Sequence, residues 1–372
     1  MYRVCATQNQ GSRVRVSGAV EKVVPLFDRI RWQDPVSGFP LEPIVSSRTP
    51  GGVPTCGALR VAGTREGYPI VDCIARMTPE LAWRHRDWLA SQALEPPDMS
   101  EDKSAGFQAE STVDSFGWQW TWNSRMRSDA DLRVRVAEKF RVAPEEFTGK
   151  LVLDAGAGAG DQSDYLLRQG AEVVSFDLSS SIEVVARKLR MRSGWVGVQG
   201  DILHLPFADN CFDIVYCEGV LQHTRDSAAA VRELCRVLRP GGRILATHYV
   251  RTPARTFARR LRRRLTLAYY EALRKRLSRL DRFTLLLITG NLAALSYAPL
   301  IGCILRRSGT ALYYSLMPDF KTTWTNTFDY YGNHSFQRFV SPEEFRGYFD
   351  AAPGTLEIIF QDQGVIVAKR TA

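Results

Sequence analysis

Three alternate glycines, Gly156, Gly158 and Gly160, follow the apolar run Leu151-Val-Leu153 and precede a helical pattern; no other feature restricts the fold as much. Glycine takes backbone angles that a Cβ forbids and lets the chain pass close to a bound group. Amides at the start of the following helix then face that group. A strand, a glycine turn and a helix make one β/α unit, and alternating strand and helix patterns run from about 129 to 250, which implies a parallel sheet.

Further strands read from short apolar runs: Glu172-Val-Val-Ser-Phe176, Val196-Gly-Val198, Ile214-Val-Tyr216 and Arg243-Ile-Leu-Ala246. Between Asp226 and Leu238, residues Ala230, Leu234, Val237 and Leu238 recur at helical spacing, and Arg239-Pro-Gly-Gly242 ends that helix. Leu356-Glu-Ile-Ile-Phe360 and Val365-Ile-Val-Ala368 add two strands; the short turn joining them predicts that the last is antiparallel. The expected fold is α/β: a doubly wound, seven-stranded, mostly parallel, Rossmann-like sheet with a small β-rich N-terminal domain and a helical insert. The expected division is 1–80 for the β domain, 81–128 for a linker with an aromatic segment, 129–250 for the core, 251–320 for the insert and 321–372 for the rest of the core.

The net charge of +9 is concentrated. Between Arg251 and Arg282 twelve Arg and Lys face only Glu271 and Asp281, so this stretch carries +10 and the remainder is close to neutral. Seven scattered cysteines (5, 56, 73, 211, 217, 235, 303) suit buried thiols in a reducing cytosol better than a disulfide framework. The N-terminus lacks the long apolar run of a secretion signal, so the expected location is cytoplasmic.

A dinucleotide fingerprint, G-x-G-x-x-G, would need a small residue at Asp161 or glycine at Ser163, and fits poorly. Val152-Leu-Asp-Ala-Gly-Ala-Gly-Ala-Gly160 instead resembles motif I of the class I S-adenosylmethionine-dependent methyltransferases (type 11, UbiE-like), and the resemblance continues in order. Asp177 ends the second strand, Gly200-Asp201-Ile202 the third, and Leu205-Pro-Phe-Ala-Asp-Asn-Cys-Phe-Asp213 leads into the fourth. Glu218-Gly-Val-Leu-Gln-His-Thr224 follows the fourth strand, and Arg236-Val-Leu-Arg-Pro-Gly-Gly-Arg243 turns into the fifth. The resemblance implies S-adenosylmethionine as cofactor. It implies Asp177 on the ribose hydroxyls, which need an acceptor-only group, Asp201 on the adenine amino group, and Leu178 and Ile202 about the ring. Asp154, Gly156, Gly158, Gly160, Cys217 and Glu218 would complete the cofactor set near the methionine end.

Residues 32–77 resemble a decayed zinc ribbon of the Trm112 type, from Trp32-Gln-Asp-Pro-Val-Ser-Gly-Phe-Pro-Leu41 to Gly57–Asp72. Its four ligand positions would be Asp34, Ser37, Val61 and Thr64; valine cannot bind zinc, so no metal is expected. The aromatic cluster Ser115-Phe-Gly-Trp-Gln-Trp-Thr121 either closes over the cofactor or staples the linker to the core.

In the insert, Arg clusters alternate with Phe257, Leu261, Leu265, Leu273, Leu277 and Leu280, and then Phe283–Leu305 runs for 23 residues without charge. That length suits a membrane span, but Gly290-Asn291, Ser296 and Pro299 and its place within one sheet disfavour crossing. Two readings stand: a helical cap over the site, or a peripheral anchor whose Arg groups at 251–306 meet an anionic membrane surface. No recognised nucleic-acid motif accompanies the cluster. The sulfonium methyl is already activated, so a base is needed only for an acceptor that must lose a proton. His248 and His223 are the catalytic candidates, with Tyr249 and His334 behind them; Asp329-Tyr-Tyr331 with His334 resembles a segment of similar bacterial methyltransferases. The expected activity is methyl transfer to a small-molecule or lipid- or glycan-linked acceptor. The rivals are a non-catalytic cofactor-binding scaffold and a membrane-associated assembly factor.

Overall fold

A computed structural model describes residues 24–98, 128–251, 257–277, 279–308, 320–331 and 337–372. Its centre is a parallel sheet of β5 (Leu151–Ala155), β6 (Glu172–Asp177), β7 (Trp195–Gln199), β8 (Phe212–Cys217) and β9 (Leu238–Thr247). The first four are almost wholly buried, as apolar runs covered on both faces must be. The expected turn at Arg239–Gly242 lies inside β9: Leu238 already pairs with Phe212, and a bulge restores the register at Ile214 and Arg243. β10 (Leu356–Asp362) and β11 (Val365–Arg370) close the core; β11 runs antiparallel to both β10 and β9. The core order is β7-β6-β5-β8-β9-β11-β10.

Four more strands extend this sheet beyond β7: β1 (Leu41–Arg48), β2 (Pro54–Val61), β3 (Gly67–Val71) and β4 (Ile74–Arg76). A helical turn, α1 (Leu26–Arg29), precedes this ribbon, and α2 (Pro79–Arg84) and α3 (Arg86–Ser91) follow it. β4 pairs parallel with β7, and Arg76 fixes the seam: its guanidinium donates to Gln199 Oε1 and to Glu183, each at 2.6 Å. A second seam joins Gln33 N to Pro206 O and Ala208 N to Arg31 O, with Trp32 packed between Phe27 and Phe207. One continuous buried cluster runs from Leu26 through Leu59 and Tyr68 to Phe176, Phe212 and Leu245's neighbour Ile244.

Hydrogen bonds hold the ribbon's two tight turns where the resembled family places zinc ligands. Asp34 is buried and accepts from Val36 N (3.2 Å), Ser37 N (3.0 Å), the Ser37 hydroxyl and the Tyr68 hydroxyl (2.6 Å). In the second turn the Thr64 hydroxyl donates to Val61 O at 3.1 Å and accepts from Glu66 N at 3.0 Å.

Helices α4 (Asp129–Val136), α5 (Asp161–Arg168), α6 (Ile182–Leu189) and α7 (Ser227–Val237) cover the core sheet. After β9 the chain rises into α8 (Phe257–Leu277), α9 (Arg282–Ser296) and α10 (Pro299–Ser308), and α11 (Phe320–Tyr331) packs against them. The long uncharged run is bent by 119° between α9 and α10, so no single helix is long and apolar enough to cross a membrane among the described residues. Proline at 299 disfavours helix in the residue before it. Gly290 lets α11 come close: a Cβ there would stand 3.1 Å from the Trp324 ring, whose Nε1 donates to Leu286 O at 3.0 Å. Tyr270, Leu285, Phe328 and Tyr331 form the insert's own buried cluster. The chain returns beside its point of departure, with Val250 bridged to Val340, and α12 (Pro342–Asp350) then packs on α7.

Asp34→Ala strands the buried Tyr68 hydroxyl and removes the acceptor of the first turn. A cost of about 1–3 kcal/mol follows from an unsatisfied buried group, and a lower urea midpoint at unchanged slope measures it.

Candidate functional site

From β5 the chain steps outward through β6 and β7, then crosses back to β8 and β9 on the other side. The loops after β5 and β8 therefore leave in opposite directions, and a crevice opens beyond the carboxyl ends of these strands. Gly156, Gly158 and Gly160 have φ of +92°, +53° and +80°, where an L side chain is strained. At Gly156 a Cβ would lie 2.0 Å from Val220 Cγ2, so the two loops touch. The amides of Gly156 and Ala157 both donate to Phe176 O, at 2.7 and 3.0 Å, which ties the loop to the end of β6. Gly160 precedes α5, where a Cβ would meet Val185 of α6 at 3.0 Å.

Three carboxyl groups converge on this crevice. Asp177 Oδ2 accepts from Gly158 N at 2.9 Å, and Oδ1 accepts from Ser179 N and the Ser179 hydroxyl at 2.8 and 2.7 Å. Burial pushes this carboxyl up, and the bonds from Ser179 and Gly158 only partly oppose it. Asp154 is buried; its Oδ2 accepts from the Ser163 hydroxyl at 2.5 Å. Behind it the Ser163 and Ser175 hydroxyls stand 2.7 Å apart, and Trp195 Nε1 donates to Ser175 at 2.8 Å. Burial raises the Asp154 carboxyl to about 7, against the Ser163 bond and with help from the charges of Asp177 and Glu218. Glu218 behaves oppositely. Burial pushes it up, but Arg135 (3.1 Å), Lys139 (2.6 Å) and the Tyr216 hydroxyl (2.7 Å) outweigh that and hold it below the usual range. Cys217 is fully buried, and burial, then Asp154 and Glu218, drive its thiol far up, so it stays neutral.

Asp201 lies past the end of β7, buried, with Oδ1 accepting from Leu203 N at 2.9 Å. Burial raises it, opposed by that amide and by His204 and Arg225. Ile202 is buried, and Leu178, half-buried, accepts on its carbonyl from Gln199 Nε2 at 3.1 Å. Asp154, the three glycines, Asp177, Cys217 and Glu218 are thus gathered at the ends of β5, β6 and β8, with Leu178, Asp201 and Ile202 beyond β6 and β7.

The two candidate histidines differ. His248 is buried with both ring nitrogens engaged, Nε2 with Ser227 Oγ at 3.0 Å and Nδ1 with Tyr249 O at 3.2 Å, and it packs on Phe345 and Tyr348. Burial lowers its pKa to about 4. It is a neutral strut between the end of β9 and α7, with both ring nitrogens occupied within the fold. Its neighbour Thr247 faces the crevice loop, accepting from Gly219 N at 2.9 Å. His223 is half-buried in the turn after β8, edge-on to Tyr249 with centroids 5.7 Å apart. Tyr330 and Tyr331 pack on Tyr270 in the insert. The aromatic cluster 115–121 and His334 lie outside the described residues. Sequence reasoning missed Val220, Ser163, Ser179, Arg135 and Lys139; the Ser179-Ser-Ser181 run starting two residues after Asp177 was the one local signal. Among the described residues no group of three or more His, Cys, Asp or Glu could hold a metal ion.

Residues 153–246 match the family described as a methyltransferase domain. The demethylmenaquinone methyltransferase of Thermobifida fusca is 38% identical over 122 residues, 32% of this chain and 52% of that protein. The malonyl-[acyl-carrier protein] O-methyltransferase of Pectobacterium atrosepticum is 36% identical over 113 residues, 30% of this chain and 44% of that one. The ubiquinone/menaquinone biosynthesis C-methyltransferase of Haemophilus ducreyi is 39% identical over 108 residues, covering 27% and 42%. The chain spans about half the length of the curated relatives it matches.

The raised Asp154 carboxyl makes stability depend on pH. The unfolded group titrates near 3.8 and the folded one near 7, so its contribution is full below the first value and lost as pH rises through the second. Asp154→Asn should remove a slope of up to about 1.4 kcal/mol per pH unit across that window. Denaturation midpoints of both proteins measured across the window test this, and equal slopes would refute it.

Proposed function

We propose that the α/β core is that of a class I S-adenosylmethionine-dependent methyltransferase and that this chain transfers a methyl group from S-adenosylmethionine to a small-molecule or lipid- or glycan-linked acceptor. The observation that carries the reading is Asp177, a half-buried carboxylate bonded to the Gly158 amide of a loop whose three glycines are all left-handed.

The residues fit the cofactor. A carboxylate offers about four lone-pair positions; Asp177 fills three, which leaves Oδ2 one acceptor site for a ribose hydroxyl. A second becomes available if the Ser179 hydroxyl turns to Ser181 Oγ, already 2.8 Å away. Asp201 would take the adenine amino group between Leu178 and Ile202, and the loop amides with Asp154 would face the methionine end. When bound, the cofactor supplies an electrophilic methyl on a sulfonium. The protein's part is alignment and exclusion of water. Glu218, pinned by Arg135 and Lys139, fixes the loop at 218–224 against α4 and so sets one wall of the crevice. His223 and Tyr249 are the proposed acid–base groups for an acceptor that must lose a proton; His248 acts through Ser227 to hold that wall in place.

Asp177→Ala should weaken calorimetric binding of S-adenosylmethionine or S-adenosylhomocysteine by about 1.5–3 kcal/mol per lost charge-assisted bond, in a protein that still folds. Unchanged affinity, or no binding by the native chain, sinks the reading. Release of S-adenosylhomocysteine with candidate acceptors distinguishes the enzyme from a non-catalytic scaffold.

A membrane-surface role rests on a separate observation. Phe257, Leu261, Leu265 and Tyr269 recur every fourth residue on α8 and are exposed, as are Phe283, Leu287, Leu300 and Ile304 on the next two helices. Beside the basic residues of α8, this face suits an anionic lipid interface. The native protein should float with phosphatidylglycerol vesicles, and Leu261→Ser with Leu265→Ser should not; indifference of the native protein to such vesicles removes this role.

A further inference from the structure

We infer that the cavity between the sheet and the helical insert binds a compact oxyanion, a phosphate or carboxylate, carried by the methyl acceptor. The oxyanion site rests on the cavity alone; its link to an acceptor rests on the methyl-transfer reading. The cavity measures about 360 Å³ and is lined by Arg225, Arg251, Arg274 and Arg338 together with Glu271. Small-molecule sites occupy roughly 300–1,000 Å³.

The four arginines come from four stretches: the turn after β8, the segment leaving β9, helix α8 and the segment before α12. An anion in that concave space would meet guanidinium groups from four separate parts of the chain. Each guanidinium presents a fork that matches two oxygens of a phosphate or carboxylate. Their supports are in place. The Arg251 guanidinium sits 3.5 Å from the centre of the Phe339 ring, and its backbone amide donates to Val340 O at 2.8 Å. The Arg338 amide donates to Gln222 O at 2.8 Å, while its guanidinium reaches Glu344 at 2.6 Å. From α8, the Tyr270 hydroxyl stands 2.8 Å from Gln337 Oε1 and 2.7 Å from Tyr330 O, which clamps the insert to the segment before α12.

The cavity also adjoins the crevice. Val220 touches the glycine loop, and Thr224, four residues further on, lines the cavity. Even fully extended, four residues span at most roughly 14 Å, and a helical turn at Leu221–His223 shortens that. Arg225 acts on the Asp201 carboxyl as well, so its charge is felt on both sides of the turn. An acceptor anchored here by its anion would present its remainder to the crevice.

The test uses the full chain at fixed ionic strength. Inorganic phosphate and acetate are titrated calorimetrically into the native protein, into Arg251→Gln with Arg274→Gln, and into the exposed-helix control Arg264→Gln with Arg276→Gln. Saturable binding of either anion that weakens at least about tenfold in the cavity variant, as expected from losing charged hydrogen bonds, and not in the control, supports the site. Arg338→Gln, altered at the exposed rim, gives the same reading if the double variant misfolds. No saturable binding, equal weakening in the control, or binding only of phosphatidylglycerol vesicles that phosphate does not displace overturns it. S-adenosylhomocysteine affinity is measured in parallel. Phosphate binding by a native protein that ignores S-adenosylhomocysteine keeps the oxyanion site and overturns its link to a methyl acceptor.

Discussion

The contact between Gly156 and Val220 fixes how near two loops of opposite origin can come. A Cβ at 156 would sit 2.0 Å from Val220 Cγ2, inside any van der Waals contact. Without that side chain, the loop after β5 closes on the loop after β8, and everything downstream of Val220 is drawn to the carboxyl edge of the sheet. The turn at 221–223, the Gln222 carbonyl that receives Arg338, and Ser227 that receives His248 all take their positions from it. Glu218 secures the same loop from the other side through Arg135 and Lys139. A loop so constrained is a wall more than a hinge.

The core was legible because its strands are buried on both faces and so appear as unbroken apolar runs. The short turn at Gln361–Gly364 likewise left only an antiparallel arrangement for the last pair. The merging of the N-terminal ribbon with that sheet was not legible. β4 is three residues long, and Arg76 finds Glu183 and Gln199 at separations of 107 and 123 residues. The break in the uncharged run was visible at Pro299, whereas the partner of its first half, Trp324 seated on Gly290, lies in a helix after the run. Of the residues singled out for the site, the glycines and carboxylates could be named because loop chemistry is local. The surroundings of His248 were not legible, because they depend on Phe345 and Tyr348, about a hundred residues away in sequence.

The ribbon's two turns are closed by side-chain hydrogen bonds. Asp34 gathers two amides and two hydroxyls, and Thr64 bridges Val61 O and Glu66 N. Each turn is closed by bonds that a carboxylate or a hydroxyl makes with its own loop, the common device of Asp and Thr in turns. Tyr68, fully buried on β3, adds a long-range link that ties the first turn to the sheet. The ribbon in turn keeps the outermost parallel strand of the core covered.

Charge is sorted along the carboxyl edge. Asp154 and Asp177 crowd the glycine loop, both raised by burial, so the crevice resists full ionisation and favours a cationic occupant. On the far side of the turn at Leu221–His223 the sign reverses in the cavity rimmed by Arg225, Arg251, Arg274 and Arg338. The insert alone could not produce this polarity, since Arg225 and Arg338 belong to the core, and the core alone could not, since Arg274 rides on α8. The two compartments are separated by a few residues of rigid turn. A ligand with a positive centre and a ligand with a negative one would therefore each be held on its own side, with their uncharged parts meeting at the turn between them. Arg274 is the α8 arginine in the lining, so the insert's seat at this edge of the sheet is what brings it to Arg225 and Arg338 of the core.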